Sequence, residues 1–270
     1  MNASLLAIAI IFAAVPPSLA DVTTQPSPAS AIASSTAPAM TQEQVVAEIQ
    51  QLGGEVKRDG TTTDGPIVRV MYRYKGYAFN HAVTDAVVEH LKGLSQLQSV
   101  NLMGTEVTDA GLEYLKGLKQ LQTISLQLTK VTDAGLEHLK GLDQLQRLFL
   151  TDTGVTDAGL EQLKGLTQLQ ELFVERTKVS DAGLSHLKGL TKLQRLSLDK
   201  TKVTDAGLEN LQGLNRLEFL SLTDTEVTDV GLEHLKGLSQ LQHLLLHSTK
   251  VTDEGVKEVQ KALPKCQIQR

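Results

Sequence analysis

The composition of this 270-residue chain is that of a globular domain with an aliphatic core, because 41% of its residues are hydrophobic while only 3% are aromatic and none is tryptophan. Its net charge of -5 argues against a nucleic-acid-binding protein, which would present a basic stripe to the phosphate backbone. The single cysteine, Cys266, excludes an internal disulfide, and we expect its thiol to be buried and inert.

Residues 1–20 are predicted to form an export signal peptide. An apolar run from Leu5 to Val15 precedes a Pro pair and a small-residue stretch that suits cleavage before Asp21. These features predict an exported protein, in the periplasm, the cell envelope or the medium. Because the run is too short to span a bilayer, we expect no membrane span after cleavage. Retention of the segment as an N-terminal anchor is the alternative. Residues 21–40, rich in Pro, Ser, Thr and Ala, are predicted to be a disordered linker.

Residues 41–82 are predicted to cap the N-terminal end of the domain. The stretch Thr41-Gln-Glu-Gln44 is a capping box, which predicts a helix as far as Leu52. Two strands should follow, at residues 55–58 and from Ile67 to Tyr74. The inward residues of the second strand are expected to be Val68, Val70 and Tyr72. The stretch from Tyr74 to Ala82 is predicted to be an irregular loop.

The rest of the chain is organised by an internal repeat. Subtracting successive starts of the Val-Thr-Asp motif and its variants gives a period of 24, which is typical of a solenoid whose units bury their apolar faces against their neighbours. Residues 83–250 hold seven such units, and residues 251–270 are predicted to form a C-terminal cap with a longer helix, ended by Pro264, and a last strand. The starts are Val83, Val107, Val131, Val155, Val179, Val203, Val227 and Val251.

Each unit is predicted to contain one short strand and one short helix. The alternation around Leu148 and Leu150 has period two, so these side chains should point into the core and Phe149 should face away from it. The following Thr156-Asp157 pair suits a helix N-terminus, and Gly165 suits its end. Stacked units then form an α/β right-handed solenoid with a parallel sheet on the concave side and short helices on the convex side.

The unit has the pattern L-x-x-L-x-x-L-x-L-x-x-T-x-V, carried in one copy by Leu142, Leu145, Leu148, Leu150, Thr153 and Val155. This pattern resembles the leucine-rich repeat family, with Thr where Asn or Cys is usual. It is similar to the bacterial 24-residue, GALA-like type and to the repeats of F-box leucine-rich proteins. The resemblance covers roughly Ile67 to Arg270 and implies the horseshoe fold, whereas it leaves the partner open.

The period of 24 stacks equivalent residues into columns, and several of these columns consist of polar side chains or potential metal ligands. The Asp column at residue 85 and every 24 residues after it suggests calcium, but unpaired N–H groups at helix N-termini account for it, and no calcium-loop motif is present. The Thr column starting at Thr105 is expected to bond loop backbone between turns. His90, His138, His186 and His234 recur only in alternate units, too far apart to share a zinc ion. No metal or cofactor is therefore expected.

The concave face is where the columns stop being uniform. Phe149 and Phe173 should lie side by side on adjacent strands, surrounded by arginines and mixed charge, which is the composition of a protein-interaction hot spot. The alternative is that aromatic residues occur there because strands favour them. The predicted partner-binding residues are Arg147, Phe149, Glu171, Phe173, Glu175, Arg176, Arg195, Asp199 and Phe219.

These features predict a monomeric, non-catalytic scaffold that binds a protein or peptide, since no nucleophile elbow, phosphate loop or H-E-x-x-H motif occurs. Two alternatives stay open. One is a substrate-recognition adaptor resembling F-box leucine-rich proteins of ubiquitin ligases. The other is a passive structural protein of the cell envelope, in which the near-identical convex helices pack between molecules.

Overall fold

The computed structural model describes residues 40–60, 65–72 and 79–270. The predicted export signal, residues 21–39 of the predicted linker and residues 74–78 of the predicted irregular loop lie outside the described residues. No helix in the described part of the chain is long and apolar enough to cross a bilayer.

The N-terminal cap begins with helix α1, Gln42–Gln51. Its capping box forms as predicted, because the Gln44 N–H donates to the Thr41 hydroxyl and the Thr41 N–H donates to the Gln44 side chain at 2.8 Å. Strand β1, Gly54–Arg58, then pairs antiparallel with β2, Ile67–Tyr72. This hairpin places β2 against the first strand of the repeats.

The expected alignment of β2 is only partly right. Val70 pairs with Val100 and is fully buried, and Tyr72 is buried as predicted. Val68 is half-buried, because the β1–β2 register shifts at Lys57 and Arg58 and leaves Val68 as an extra residue between their partners. Ile67 takes the inward position instead, at 1% exposure.

In the described residues, the sheet contains ten strands in chain order. All pairs after β1–β2 are parallel, and the register advances by 24 residues at each step through the repeats because every unit has the same length. The remaining strands are β3 Ser99–Asn101, β4 Thr123–Ser125, β5 Arg147–Phe149, β6 Glu171–Phe173, β7 Arg195–Ser197, β8 Phe219–Ser221, β9 His243–Leu245 and β10 Gln267–Gln269.

The helices lie on the other side of the core and are shorter than the sequence suggested. Most end after about one turn, and in five units a 3₁₀ turn continues the helix directly. The inward Leu and Val columns between helices and sheet are almost fully buried. The helices are α2 Asp85–Glu89, α3 Asp109–Glu113, α4 Asp133–Leu136, α5 Asp157–Gln162, α6 Asp181–Leu184, α7 Asp205–Leu208, α8 Asp229–Leu232 and α9 Asp253–Ala262.

The Asp column joins each unit to the next, a role that the sequence analysis missed. Each carboxylate accepts hydrogen bonds from the backbone N–H and the hydroxyl of the Thr or Ser at the N-cap position of the following helix. The expectation that each Asp caps its own helix is therefore wrong. The pairs are Asp85–Thr108, Asp109–Thr132, Asp133–Thr156, Asp157–Ser180, Asp181–Thr204, Asp205–Thr228 and Asp229–Thr252. The last member, Asp253, has no following unit and pairs with Arg270.

The Thr column stabilises the turn within a unit, and the expected bonding between turns is wrong. Each hydroxyl donates to the backbone carbonyl three residues earlier, as Thr105 does to Leu102 at 2.6 Å. The same bond recurs at Thr129, Thr153, Thr177, Thr201, Thr225 and Thr249.

At the C-terminal end, α9 and β10 cover the last unit. Ile268 pairs with Leu244 and is partly buried against the core. Cys266 is 5% exposed, and burial raises the pKa of its thiol to about 11, which leaves it protonated at neutral pH. The thiol is therefore buried and inert, as expected.

Candidate protein-interaction surface

The strand register brings Phe149 and Phe173 together on the concave face, since they are direct partners in the β5–β6 pair. Their ring centroids are 5.2 Å apart and their planes meet at 88°, an edge-to-face arrangement that aromatic pairs favour. The same column continues with Ser125 on one side and Ser197 on the other, both short and buried. The two rings therefore stand as an aromatic ridge between small residues.

A second aromatic group lies two strands away. The guanidinium carbon of Arg195 is 4.6 Å from the ring centre of Phe219, its partner in the β7–β8 pair. This is a cation–π contact, which holds the Arg195 side chain over β8. Arg195 and Phe219, both predicted partner-binding residues, thus form one surface patch of mixed apolar and positive character.

Glu171 lies between two arginines, yet neither pairs with it. Arg147 and Arg195 are its direct partners on the adjacent strands. The Nε of Arg147 donates to Thr123 on the other side at 3.0 Å, and Arg195 covers Phe219. Among the described residues, no ion pair or hydrogen bond engages the Glu171 carboxylate. Its charge is therefore not neutralised by any side chain of the described residues.

The two other predicted carboxylates are held by neighbouring strands. Glu175 accepts a hydrogen bond from the Thr151 hydroxyl. The Oδ1 atom of Asp199 accepts from the Ser221 hydroxyl and from the Thr223 N–H at 3.0 Å. Burial raises the pKa of the Asp199 carboxyl above its ordinary value of 3.8, although both hydrogen bonds oppose that shift.

Arg176 lies at the edge of the concave face, where it pairs with Asp152 at 2.9 Å. Both residues belong to a column with positive φ, the left-handed region that costs a non-glycine residue roughly 1 kcal/mol. This column was not predicted from the sequence, although Gly104 at its start, with φ of 66°, was a signal for it. The non-glycine members are Leu128, Asp152, Arg176, Lys200, Asp224 and Ser248.

A depression of 360 Å³ opens beside the aromatic ridge, over strands β2 to β6. Its lining includes Phe149, Arg147 and Glu171, together with Arg69 and Asn101. Arg69 is not among the predicted partner-binding residues. Because Val70 points inward, the alternation along β2 could have placed Arg69 on the concave face, in the row of Ser99, Thr123 and Arg147.

A smaller depression of 310 Å³ lies at the strand-end edge. Phe79 and His81 line it, with ring centroids 5.9 Å apart, and Leu128 faces them. His81 and Lys130 both contact the Glu106 carboxylate, whose pKa is lowered first by the Lys130 contact and then by that of His81. The charged groups of this depression therefore contact one another.

The histidine column does not form a ligand cluster. In the described part of the chain, no group of three or more His, Cys, Asp or Glu side chains is arranged to hold a metal ion. His90 instead contacts Glu48 of α1 at 2.5 Å, and His234 contacts Gln212 at 2.9 Å.

Comparison with known proteins gives one family. The family model described as "Leucine Rich repeat" matches residues 94–116. No curated protein sequence matches the chain significantly.

Solved structures share the architecture over most of the chain. Internalin C2 of Listeria monocytogenes is similar at 25% identity and a TM-score of 0.58, covering 75% of this chain and 80% of its own. A second internalin of the same organism gives 21% identity and a TM-score of 0.50, over 84% of this chain and 73% of its own. A leucine-rich repeat protein of Leptospira interrogans gives 20% identity and a TM-score of 0.51, over 67% of this chain and 51% of its own.

Proposed function

The chain is a leucine-rich repeat protein, and on that premise we propose that it is a non-catalytic scaffold that binds a protein or peptide on its concave face. We further propose that it is exported by the segment before Asp21 and acts as a monomer. The observation that carries the proposal is the aromatic ridge of Phe149 and Phe173.

The ridge has the properties of an interaction site for three reasons. Its rings are half-buried on a sheet whose own core is complete without them, since the inward neighbours Leu148 and Leu172 are fully buried. Its edge-to-face contact fixes the rings before a partner arrives, which lowers the entropy lost on binding. The unpaired Glu171 beside it offers a charge for orientation.

The partner should contact the ridge at the centre and the charged residues at the rim. Phe149, Phe173 and the Arg195–Phe219 surface supply apolar and stacking contacts, which dominate binding energy in most interfaces. Glu175, Asp199 and the Asp152–Arg176 pair lie around them and would contribute more to specificity and association rate than to affinity.

A pull-down with the full-length chain tests this function. Envelope and culture fractions would be offered to the wild type, to a Phe149→Ala, Phe173→Ala double variant and to Val230→Ala. Val230 is 66% exposed on α8, and equivalent units carry Ala there, so this control removes apolar surface from the convex side without disturbing the fold. All three baits would first be compared by circular dichroism.

A protein retained by the wild type and Val230→Ala, and lost from the double variant, is the expected result. Equal retention by all three baits would contradict the concave site. Loss from Val230→Ala alone would favour packing through the convex helices.

A further inference from the structure

Two arginines line the 360 Å³ depression beside the aromatic ridge. Arg69 on β2 and Arg147 on β5 occupy the same row of the sheet, with Ser99 and Thr123 between them. Three strand spacings of ~4.8 Å separate their backbones by about 14 Å. Because the two residues between them are short, the row forms a recess with an arginine at each end.

Neither arginine has its charge neutralised. In the described residues, no carboxylate lies within ion-pair distance of Arg69 or Arg147. The Arg147 Nε bond to Thr123 is its single hydrogen bond among those residues, and it turns the guanidinium toward the recess. Its terminal nitrogens remain as donors in the fork geometry that matches a carboxylate.

The floor of the recess adds neutral donors. Asn101 accepts a bond from the Met103 N–H through Oδ1 at 2.9 Å, which leaves its amide nitrogen without a partner among the described residues. The Ser99 hydroxyl likewise has none. The Ser125 hydroxyl is already used, since it donates to Gln127 at 2.5 Å. The recess therefore presents donors and positive charge, with few competing acceptors.

Glu171 is the one acid in the lining, and its position limits its effect. It lies one strand beyond Arg147, on the side from which that guanidinium turns away. A negative group between Arg69 and Arg147 would therefore be screened from Glu171 by Arg147 itself. The arrangement suits a single negative charge better than a dianion, which Glu171 would repel more strongly.

We propose that this recess binds a carboxylate of the protein partner, from an Asp or Glu side chain or from a C-terminus, while the adjoining apolar residue packs on Phe149. The inference rests on the proposed function and specifies the chemistry of the partner. It makes Arg69 and Arg147 specificity residues. One segment of the partner would contact both these arginines and the aromatic ridge.

The test uses random synthetic peptides, immobilised through their N-termini and prepared with free or amidated C-termini, screened against the full-length chain. Binders would be resynthesised with Asp→Asn and Glu→Gln changes, and their affinities measured by fluorescence anisotropy. The protein variants are Arg69→Gln, Arg147→Gln and the Phe149→Ala, Phe173→Ala double variant. Arg216→Gln is the charge-matched control, since Arg216 is exposed and lies outside the recess.

Selected peptides should join an acidic group to an apolar residue and should bind each recess variant about tenfold more weakly, with Arg216→Gln unchanged. Dependence on a side-chain acid or on the free C-terminus would identify which carboxylate is bound. Peptides that require the Phe pair, but still bind after their acidic side chains and C-terminus are neutralised, would overturn this inference and leave the proposed function intact. Stronger displacement by inorganic phosphate than by acetate would overturn the choice of a carboxylate. Binding indifferent to the Phe pair, or no binding at all, would count against both proposals.

Discussion

The carboxylate of Asp133 accepts two hydrogen bonds from Thr156 in the next unit, one from its backbone N–H at 2.7 Å and one from its hydroxyl at 2.6 Å. Thr156 is at the same time the N-cap of α5, because its hydroxyl accepts a hydrogen bond from the Ala158 N–H at 3.3 Å. One side chain thus links consecutive units at the point where each helix begins. The same contact recurs through the array, so the stacking of units depends on it as well as on the Leu columns.

The first prediction concerns this link. Asp133→Ala should lower the free energy of unfolding by about 1–3 kcal/mol, because the N–H and hydroxyl of Thr156 lose their acceptor. Urea denaturation measures the change. Asp143→Ala is the charge-matched control, since Asp143 is exposed and should change stability by less than about 0.5 kcal/mol. Equal losses in the two variants would mean that net charge, and not the link, is responsible.

The second prediction is a pH dependence at Asp229. The two bonds from Thr252 hold the pKa of this carboxyl below its ordinary value of 3.8. The pKa of Asp229 is therefore lower in the folded state than in the unfolded state. The contribution of Asp229 to stability is complete above the unfolded-state pKa and is lost as the pH falls through the folded-state pKa. The stability gap between wild type and Asp229→Asn should narrow on acidification below 3.8. A gap that is constant with pH would contradict the assignment.

The third prediction separates two glycines of one unit. A Cβ on Gly159 would lie 2.5 Å from Asp133 Oδ1 and 2.9 Å from a Val155 methyl carbon, whereas a Cβ on Gly165 would meet nothing within 4 Å. Gly159→Ala should cost about 1–3 kcal/mol despite the better helix propensity of Ala, because Asp133 is held in place by Thr156. Gly165→Ala should leave the free energy of unfolding nearly unchanged.

A double-mutant cycle checks the cause of that loss. In an Asp133→Ala background most of the Gly159→Ala cost should disappear, since the oxygen that blocks the Cβ is gone. Unchanged cost in that background would place the clash at Val155. The first unit is consistent with this account, because it carries Val87 at the equivalent position and has no preceding Asp in the column.

The fourth prediction tests the inside and outside of β6. Leu172 is 0% exposed, so Leu172→Ala should destabilise the fold by ~2–5 kcal/mol. Phe173→Ala, one residue on, should cost much less because its ring is half-buried on the concave face. Thermal and urea unfolding of both variants measure the two changes in stability. Similar losses of stability in the two variants would show that the ridge belongs to the core.

The fifth prediction concerns the N-terminal cap. The Tyr72 hydroxyl is buried and has no hydrogen-bond partner among the described residues, and burial raises the pKa of the phenol well above its usual range. Removing an unsatisfied buried hydroxyl relieves a desolvation cost, so Tyr72→Phe should leave stability unchanged or raise it by about 1 kcal/mol. Destabilisation by more than that amount would indicate a partner for the hydroxyl. Tyr72→Leu, which also removes the ring, is the comparison and should destabilise.

Some of the surface could be predicted from the sequence. The period of 24 placed Phe149 beside Phe173 and Arg147 beside Glu171, because strands of equal spacing stack in register. The same pattern did not give the partners of the charged side chains. A long arginine chain can turn toward either neighbouring strand, so Arg147 next to Glu171 was compatible with an ion pair that the structure does not form.

The sequence by itself determined the 24-residue repeat and, within the repeats, the alternation of inward and outward residues, because each depends on spacing within about one unit. Outside the repeats the predicted alternation was wrong at Val68, because it could not anticipate the register shift between β1 and β2. Only the tertiary structure decided which side chains make contact between neighbouring units: the Asp133–Thr156 link, and the neighbouring strand toward which Arg147 and Arg195 each turn. These contacts join residues about one period apart or more, and several geometries satisfy the same spacing. The choice among them is made by the neighbours that each side chain meets once the units are stacked.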